Sequence, residues 1–265
     1  LSIDAIETDL LSTSGYKSNK TGFSLGTNFE YLDDLNVGLG QSTYYEKITT
    51  NSSASTRQKA QAGNYFDAFI QIDLDFDKRN QKFQTSDGFR SFYSLDLPVI
   101  SDSRTITNSY SYTFYEELYE ENISSISFYA KAANSLSNDD IKLSERLFLP
   151  GSKLRGFEQG KIGPKDGNDY IGGNFLSSIN INSTLPQILP NSQNTDFVVF
   201  LDIANIWGVD YDSSIDSSNK IRSSFGIGID WFTVLGPLNF SLSQNLSKAN
   251  TDKTESFRFN LGTTF

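Results

Sequence analysis

The 265-residue chain contains no cysteine and no histidine. The first absence excludes disulfides and thiol nucleophiles and the second excludes imidazole bases; together they exclude the common zinc sites. No stretch approaches the roughly 20 consecutive apolar residues that a spanning helix needs, so any residence in a membrane has to come from strands. Positive charge is also short: the net charge is −10, whereas nucleic-acid binding needs a basic footprint. No nucleic-acid partner, metal or cofactor is therefore expected, and the chain is read as a non-enzyme. An acidic hydrolase built on the abundant serines and aspartates would have no histidine to act as base. The chain opens on Leu1 without a basic and apolar leader, and is expected to be cut from something longer.

Aromatic residues are plentiful, with 13 Tyr, 21 Phe and 2 Trp, and aromatics are what membrane barrels place in girdles at the two interfaces. The last nine residues, Phe257-Arg258-Phe259-Asn260-Leu261-Gly262-Thr263-Thr264-Phe265, alternate large apolar with polar or small side chains. A strand of this kind shows one face to hydrocarbon and the other to water. Phe257, Phe259, Leu261 and Phe265 would face lipid; Arg258, Asn260, Gly262 and Thr264 would face a wet lumen. The same alternation recurs along the chain. Phe66, Ala68, Ile70, Ile72, Leu74 and Phe76 alternate with Asp67, Gln71, Asp73, Asp75 and Asp77, with Phe69 alone breaking the polar face. Further on, Ile221, Phe225, Ile227, Ile229 and Trp231 stand against Arg222, Ser224, Gly226, Gly228 and Asp230. Near the start, Phe23, Leu25, Phe29 and Tyr31 stand against Ser24, Gly26, Asn28 and Glu30.

About twelve strands, each on the order of 10 residues, are expected. They fall at 1–12, 20–32, 35–48, 62–77, 87–98, 103–117, 123–134, 171–184, 195–207, 219–233, 236–246 and 254–265, the first keeping no clean face. The fold class is all-β: a single antiparallel transmembrane β-barrel domain over 1–265. A soluble sandwich or lipocalin-like barrel would need bulky residues on its inner face. Here the polar faces are crowded with Asp, Asn, Gly and Ser, which suit a hydrated interior. An even strand count puts both termini on one side, which in such barrels is the periplasm. Loops at 51–61, 135–170, 208–219 and 247–250 then lie outside, and turns at 79–88, 186–194 and 235–237 inside the periplasm.

Residues 135–170 are too long for an ordinary hairpin connection and are expected to carry function. They contain Leu149-Pro150-Gly151-Ser152-Lys153-Leu154-Arg155-Gly156-Phe157 and then Ile162-Gly163-Pro164. An arginine beside Gly156 suits a backbone pressed against the barrel wall, with the guanidinium forked onto a carboxylate or amides. An exposed loop with a solvated arginine suits the spacing equally well.

Gly151-Ser152-x-Leu154-Arg155-Gly156-Phe157, Ile162-Gly163-Pro164 and Gly172-Gly173-Asn174 resemble the signature loop of the BamA family of outer-membrane barrel assembly factors and their relatives. Phe200-Leu201-Asp202-Ile203-Ala204-Asn205-Ile206-Trp207, Arg222-x-Ser224-x-Gly226-Ile227-Gly228-x-x-Trp231, Leu235-Gly236-Pro237-Leu238, the closing strand, and Asp77-x-Arg79-Asn80 leading to Thr85-x-Asp87-Gly88 are similar as well. The resemblance implies a loop folded into the lumen, whose Leu154, Arg155, Gly156 and Phe157 form the motif and whose Arg155 pairs with Asp202 on the inner wall. Two positions depart from the pattern. Asn182 stands where relatives carry a second inward glutamate, and Ala204 replaces a glycine.

The resemblance also implies a fuller architecture: periplasmic repeat domains and a barrel of roughly sixteen strands, of which the first strand here corresponds to about the fifth. The chain is then either a portion of a longer factor or a small relative closing at twelve strands. The implied activity is folding and insertion of outer-membrane proteins at a seam between first and last strands, here 1–12 against 254–265, by pairing clients to exposed edges. The implied partners are outer-membrane lipids, unfolded outer-membrane proteins and assembly-complex lipoproteins. A passive pore or secretion channel on the same barrel is the competing function.

Overall fold

The computed structural model describes residues 1–120, 122–137, 139–185, 194–210, 215, 220–233 and 236–261. Twelve long strands form one sheet: β1 (Ser2–Leu10), β2 (Tyr16–Leu32), β3 (Leu35–Thr50), β4 (Gly63–Asp77), β5 (Gly88–Ser101), β6 (Thr105–Tyr119), β7 (Asn122–Ser135), β10 (Phe175–Leu185), β11 (Thr195–Trp207), β12 (Arg222–Thr233), β13 (Gly236–Ser247) and β14 (Phe257–Leu261). A two-residue pair, β8 (Lys165–Asp166) and β9 (Asp169–Tyr170), stands apart within the long connection. Every ladder of the wall is antiparallel between sequence neighbours, with β7 pairing β10 across that connection. Each of the twelve wall strands overlaps one of the twelve expected spans, with bounds that differ by up to four residues. The alternation that marks a strand also fixes its register, because a slip of one residue would turn every side chain to the opposite face.

One face of this wall is apolar and uncovered. Phe23, Leu25, Phe29 and Tyr31 of β2, Ile70 and Leu74 of β4, Phe225, Ile227 and Trp231 of β12 and Phe257, Phe259 and Leu261 of β14 are all exposed. Phe265 and Gly262, expected at the end of the closing strand, lie outside the described residues. So do residues 186–193, 234–235 and most of 208–219, and with them the turns expected there.

The sheet curls around the long connection. That segment bonds to β4 through Asp67, to β12 through Ser224, to β13 through Asn245 and to β14 through Arg258. Laid flat at the usual strand spacing of about 4.8 Å, β4 and β14 would stand roughly 40 Å apart, so a segment that touches both has the wall wrapped around it. Among the described residues no ladder joins β1 to β14. The connections after β1, β3, β5, β7 and β13 lie at one end, here termed the loop end.

The interior corrects the expectation of a merely hydrated lumen. At the loop end the connection brings Ile141, Leu147, Leu149, Leu154, Phe157 and Ile162 against Ala133, Leu176, Ala204 and Ile206 of the wall, all buried. Burial of a large aliphatic or aromatic side chain is worth about 1.5–3 kcal/mol, so this cluster is a core in its own right. Phe69 faces inward here, stacked on Tyr44 with ring centroids 6.0 Å apart. The 51–62 connection holds a short helix, α1 (Thr56–Ala60), started by a reciprocal capping box between Ser55 and Gln58. The buried Gln58 side chain then donates to Ser14 O at 2.8 Å, tying this connection to the β1–β2 turn.

Candidate functional site

The motif sits where a short 3-10 turn, Gly151–Lys153, ends and the chain doubles back. Leu154 and Phe157 point into the apolar cluster, which fixes the orientation of the two residues between them. Arg155 then has no route to water; its side chain is 1 % exposed and the Asp202 carboxylate 0 %.

Asp202 receives Arg155 three times: backbone N–H to Oδ2 at 2.9 Å, Nε to Oδ2 at 2.7 Å and Nη2 to Oδ1 at 2.7 Å. The planar guanidinium matches the carboxylate edge in a way a lysine cannot. Asn180 of β10 donates a fourth bond to Oδ1 at 2.8 Å, and also one to Lys153 O at 3.0 Å. Asn182 accepts from Arg155 Nη2 at 2.7 Å. The position lacking the second carboxylate thus still meets the arginine, as a neutral acceptor. The ring of Phe200 lies 3.5 Å below the guanidinium carbon, a cation–π contact strengthened by exclusion of water. Asp202 points inward while Val199 on the same strand is exposed, as alternation requires.

Gly156 is needed for both its backbone and its lack of a side chain. Its φ is +86°, and a Cβ would stand 3.2 Å from Ser243 Cβ and 3.3 Å from Ser224 Cβ. The strand walls therefore touch the loop backbone directly: Ser224 Oγ donates to Arg155 O, and Asn245 Nδ2 to Gly156 O at 2.8 Å. Ala204, in place of the family glycine, is buried against the apolar cluster.

A second charged anchor was not anticipated from sequence. Lys142, 2 % exposed at its side chain, lies 2.9 Å from Glu46 Oε2 of β3 and 3.3 Å from Glu145 Oε1, and donates to Asp67 Oδ2 of β4. Burial works against its charge, but the carboxylates of Glu145, Glu46 and Asp67 outweigh that cost and hold the ammonium above its ordinary pKa. Ser144 adds a bond to Glu46 at 2.9 Å. The only signal in the sequence was Asp67 on the polar face of β4; its partner lies 75 residues away.

The return limb of the loop reaches both sides of the wall. Tyr170 N donates to Thr13 O at 2.9 Å, and its hydroxyl donates to Thr251 O at 2.6 Å. Arg222, inward on β12, forks onto Asp252 at 2.8 and 2.9 Å with both side chains buried. At the opposite end of the wall, Arg79 forks onto Asp77 at 2.8 Å, and Asn80 N bonds Asp87 O at 3.0 Å, closing the β4–β5 turn. Among the described residues no cluster of acidic side chains could hold a metal ion. The site offers anchorage and shape.

The Omp85 superfamily domain matches residues 2–265. The chain is 24 % identical over 257 residues to the outer membrane protein assembly factor BamA of Neorickettsia risticii, covering 94 % of this chain and 34 % of that protein. It is 29 % identical over 156 residues to the protein of the same name from Neisseria meningitidis serogroup B, covering 48 % of this chain and 19 % of that one. The chain thus spans about a third or less of these relatives. The crystal structure of BamA from Haemophilus ducreyi lacking POTRA domains 1–3 superposes with a TM-score of 0.87 at 20 % identity, covering 97 % of this chain and 56 % of that one. This likeness shows the fold: an antiparallel β-barrel wall.

Proposed function

The chain belongs to the Omp85 superfamily, and from that premise we propose that it is the barrel portion of a BamA-type factor that folds outer-membrane proteins and inserts them into the bacterial outer membrane. Its apolar outer face meets lipid, and both ends of the described wall, at Ser2 and Leu261, face the periplasm. Clients are unfolded outer-membrane proteins, and assembly-complex lipoproteins dock on periplasmic parts of the longer protein. No bond is made or broken, so the protein is no enzyme.

The observation that carries this reading is the anchored plug. Arg155 on Asp202, Lys142 on Glu46 and Asp67, and the apolar cluster around Leu154 and Phe157 fill the loop end of the lumen. On this reading the plug obstructs passage of a polypeptide through the lumen. Work on a client is thereby directed to the outside of the wall and to its outermost strands, β1 and β14, which share no ladder among the described residues. There a client edge can add by β-augmentation, since backbone groups supply affinity without sequence demands.

The test is the folding rate of a urea-unfolded barrel protein into liposomes holding this chain, against empty liposomes and liposomes holding an unrelated barrel of similar size. Faster folding only with this chain is expected. Equal rates, together with a steady ionic conductance, would instead make this barrel a passive pore.

A further inference from the structure

The closing strand is held from two directions, and only one of them is the sheet. Its ladder with β13 runs from Leu238↔Leu261 to Leu242↔Phe257, and Ser243 N still donates to Ser256 O at 2.8 Å. One residue earlier the partner changes. Glu255 N donates to Gly156 O at 3.2 Å, Thr254 forms a bridge with Phe157, Glu158 N donates to Lys253 O at 3.0 Å and Lys253 N to Lys161 O at 3.0 Å. The motif loop thus serves as a substitute strand for residues 253–255.

Arg258 locks this exchange of partners. It projects inward from β14, its side chain 10 % exposed. Nε donates to Glu255 Oε1 at 2.5 Å, Nη1 to Gly151 O, and Nη2 to Phe157 O. Gly151 and Phe157 bracket the whole motif turn, so one guanidinium gathers both of its ends. A Cβ on Gly151 would stand 2.8 Å from Arg258 Nη1, so the guanidinium would have to give way. A single strand held by one short ladder would fray readily; a planar fork with each nitrogen engaged resists that.

We propose that Arg258 is a positioning residue that fixes the closing strand to the lumen loop, so that β14 and the Arg155 motif move as one unit and the loop sets the edge to which a client adds. The role in client addition rests on the assembly-factor reading; the mechanical tie does not.

The experiment uses the full chain in liposomes and compares the parent with Arg258→Ala and Arg258→Lys by hydrogen exchange and by client folding rate. Arg258→Ala is expected to speed exchange at the amides of 257–261 and 151–157 by roughly tenfold or more, leaving β2–β7 unchanged. Arg258→Lys keeps the charge without the fork and recovers part of the protection. Unchanged exchange at 257–261, or a rise spread equally through β2–β7, would overturn the proposal. Should Arg258→Ala not fold, Gly151→Ala displaces the guanidinium instead, and the same selective rise is required. Selective release of β14 in a system where even the parent fails to speed client folding would sustain the tie and sink the assembly reading.

Discussion

Arg155 and Lys142 do similar work by different chemistry, and mutation separates them. Replacing Arg155 by alanine strips the buried Asp202 of its guanidinium and leaves it hydrogen bonds from the residue-155 backbone N–H and Asn180. Stranding a buried charge costs about 3–5 kcal/mol, so the variant is expected to melt earlier and expose residues 151–157 to protease; unchanged melting and unchanged cleavage would contradict the anchoring role. Arg155→Lys should recover little, because a point charge cannot span both carboxylate oxygens. Lys142 is predicted to respond to pH in one direction. Its folded pKa is raised, so its stabilisation is complete below the unfolded value of about 10.4 and is lost only as pH climbs through the folded value. Protease sensitivity of the loop is therefore expected to stay flat from pH 6 to 9 for this group and to rise only in strong alkali. The charge-free Lys142→Met variant, which leaves Glu46, Asp67 and Glu145 facing one another, should show raised sensitivity already at pH 7.

At the scale of the elements, the loop is constrained by backbone as much as by side chains. Gly156→Ala places a Cβ on a residue at φ +86° and against Ser224 and Ser243. The left-handed conformation alone costs an L-residue about 1–2 kcal/mol, so this small change is expected to lower the temperature at which the folded barrel loses its compact gel mobility; an unaltered transition would mean the turn has freedom the packing denies it. The wall strands were legible in the sequence because period-two alternation is local: Phe257, Phe259 and Leu261 announce their face without reference to anything else. The loop's inner core was not. Ile141, Leu147, Leu149 and Ile162 follow no period, and their burial arises only once the wall has curled around them. The Arg155–Asp202 pair entered through resemblance, since spacing alone left a solvated arginine equally open. Lys142 and Arg258 join residues across the fold, and neither local pattern nor motif indicates such partners.

At the scale of the molecule, these ties make a plugged wall, and the proposed function puts client addition at its edge. Tyr170, bonded to Thr13 and Thr251, links the β1–β2 turn to the β13–β14 connection at the loop end and leaves the opposite end less restrained. There β2 is exposed on both faces from Leu25 to Leu32. Tyr170→Phe, which removes only the bond to Thr251, is expected to raise amide exchange in residues 249–255 while leaving β2 unaffected; equal exchange in parent and variant would remove the tyrosine from the clasp. The proposed function turns on where a client meets the protein. The most direct measurement is site-specific photo-crosslinking during insertion, with a reactive residue placed in turn at Phe259 on the closing strand and at Phe128 on the outer face of β7. Strong client adducts from position 259 and few from 128, appearing while the client folds, are expected. Accelerated folding with equal adducts from both positions, or none from 259, would contradict the proposed function.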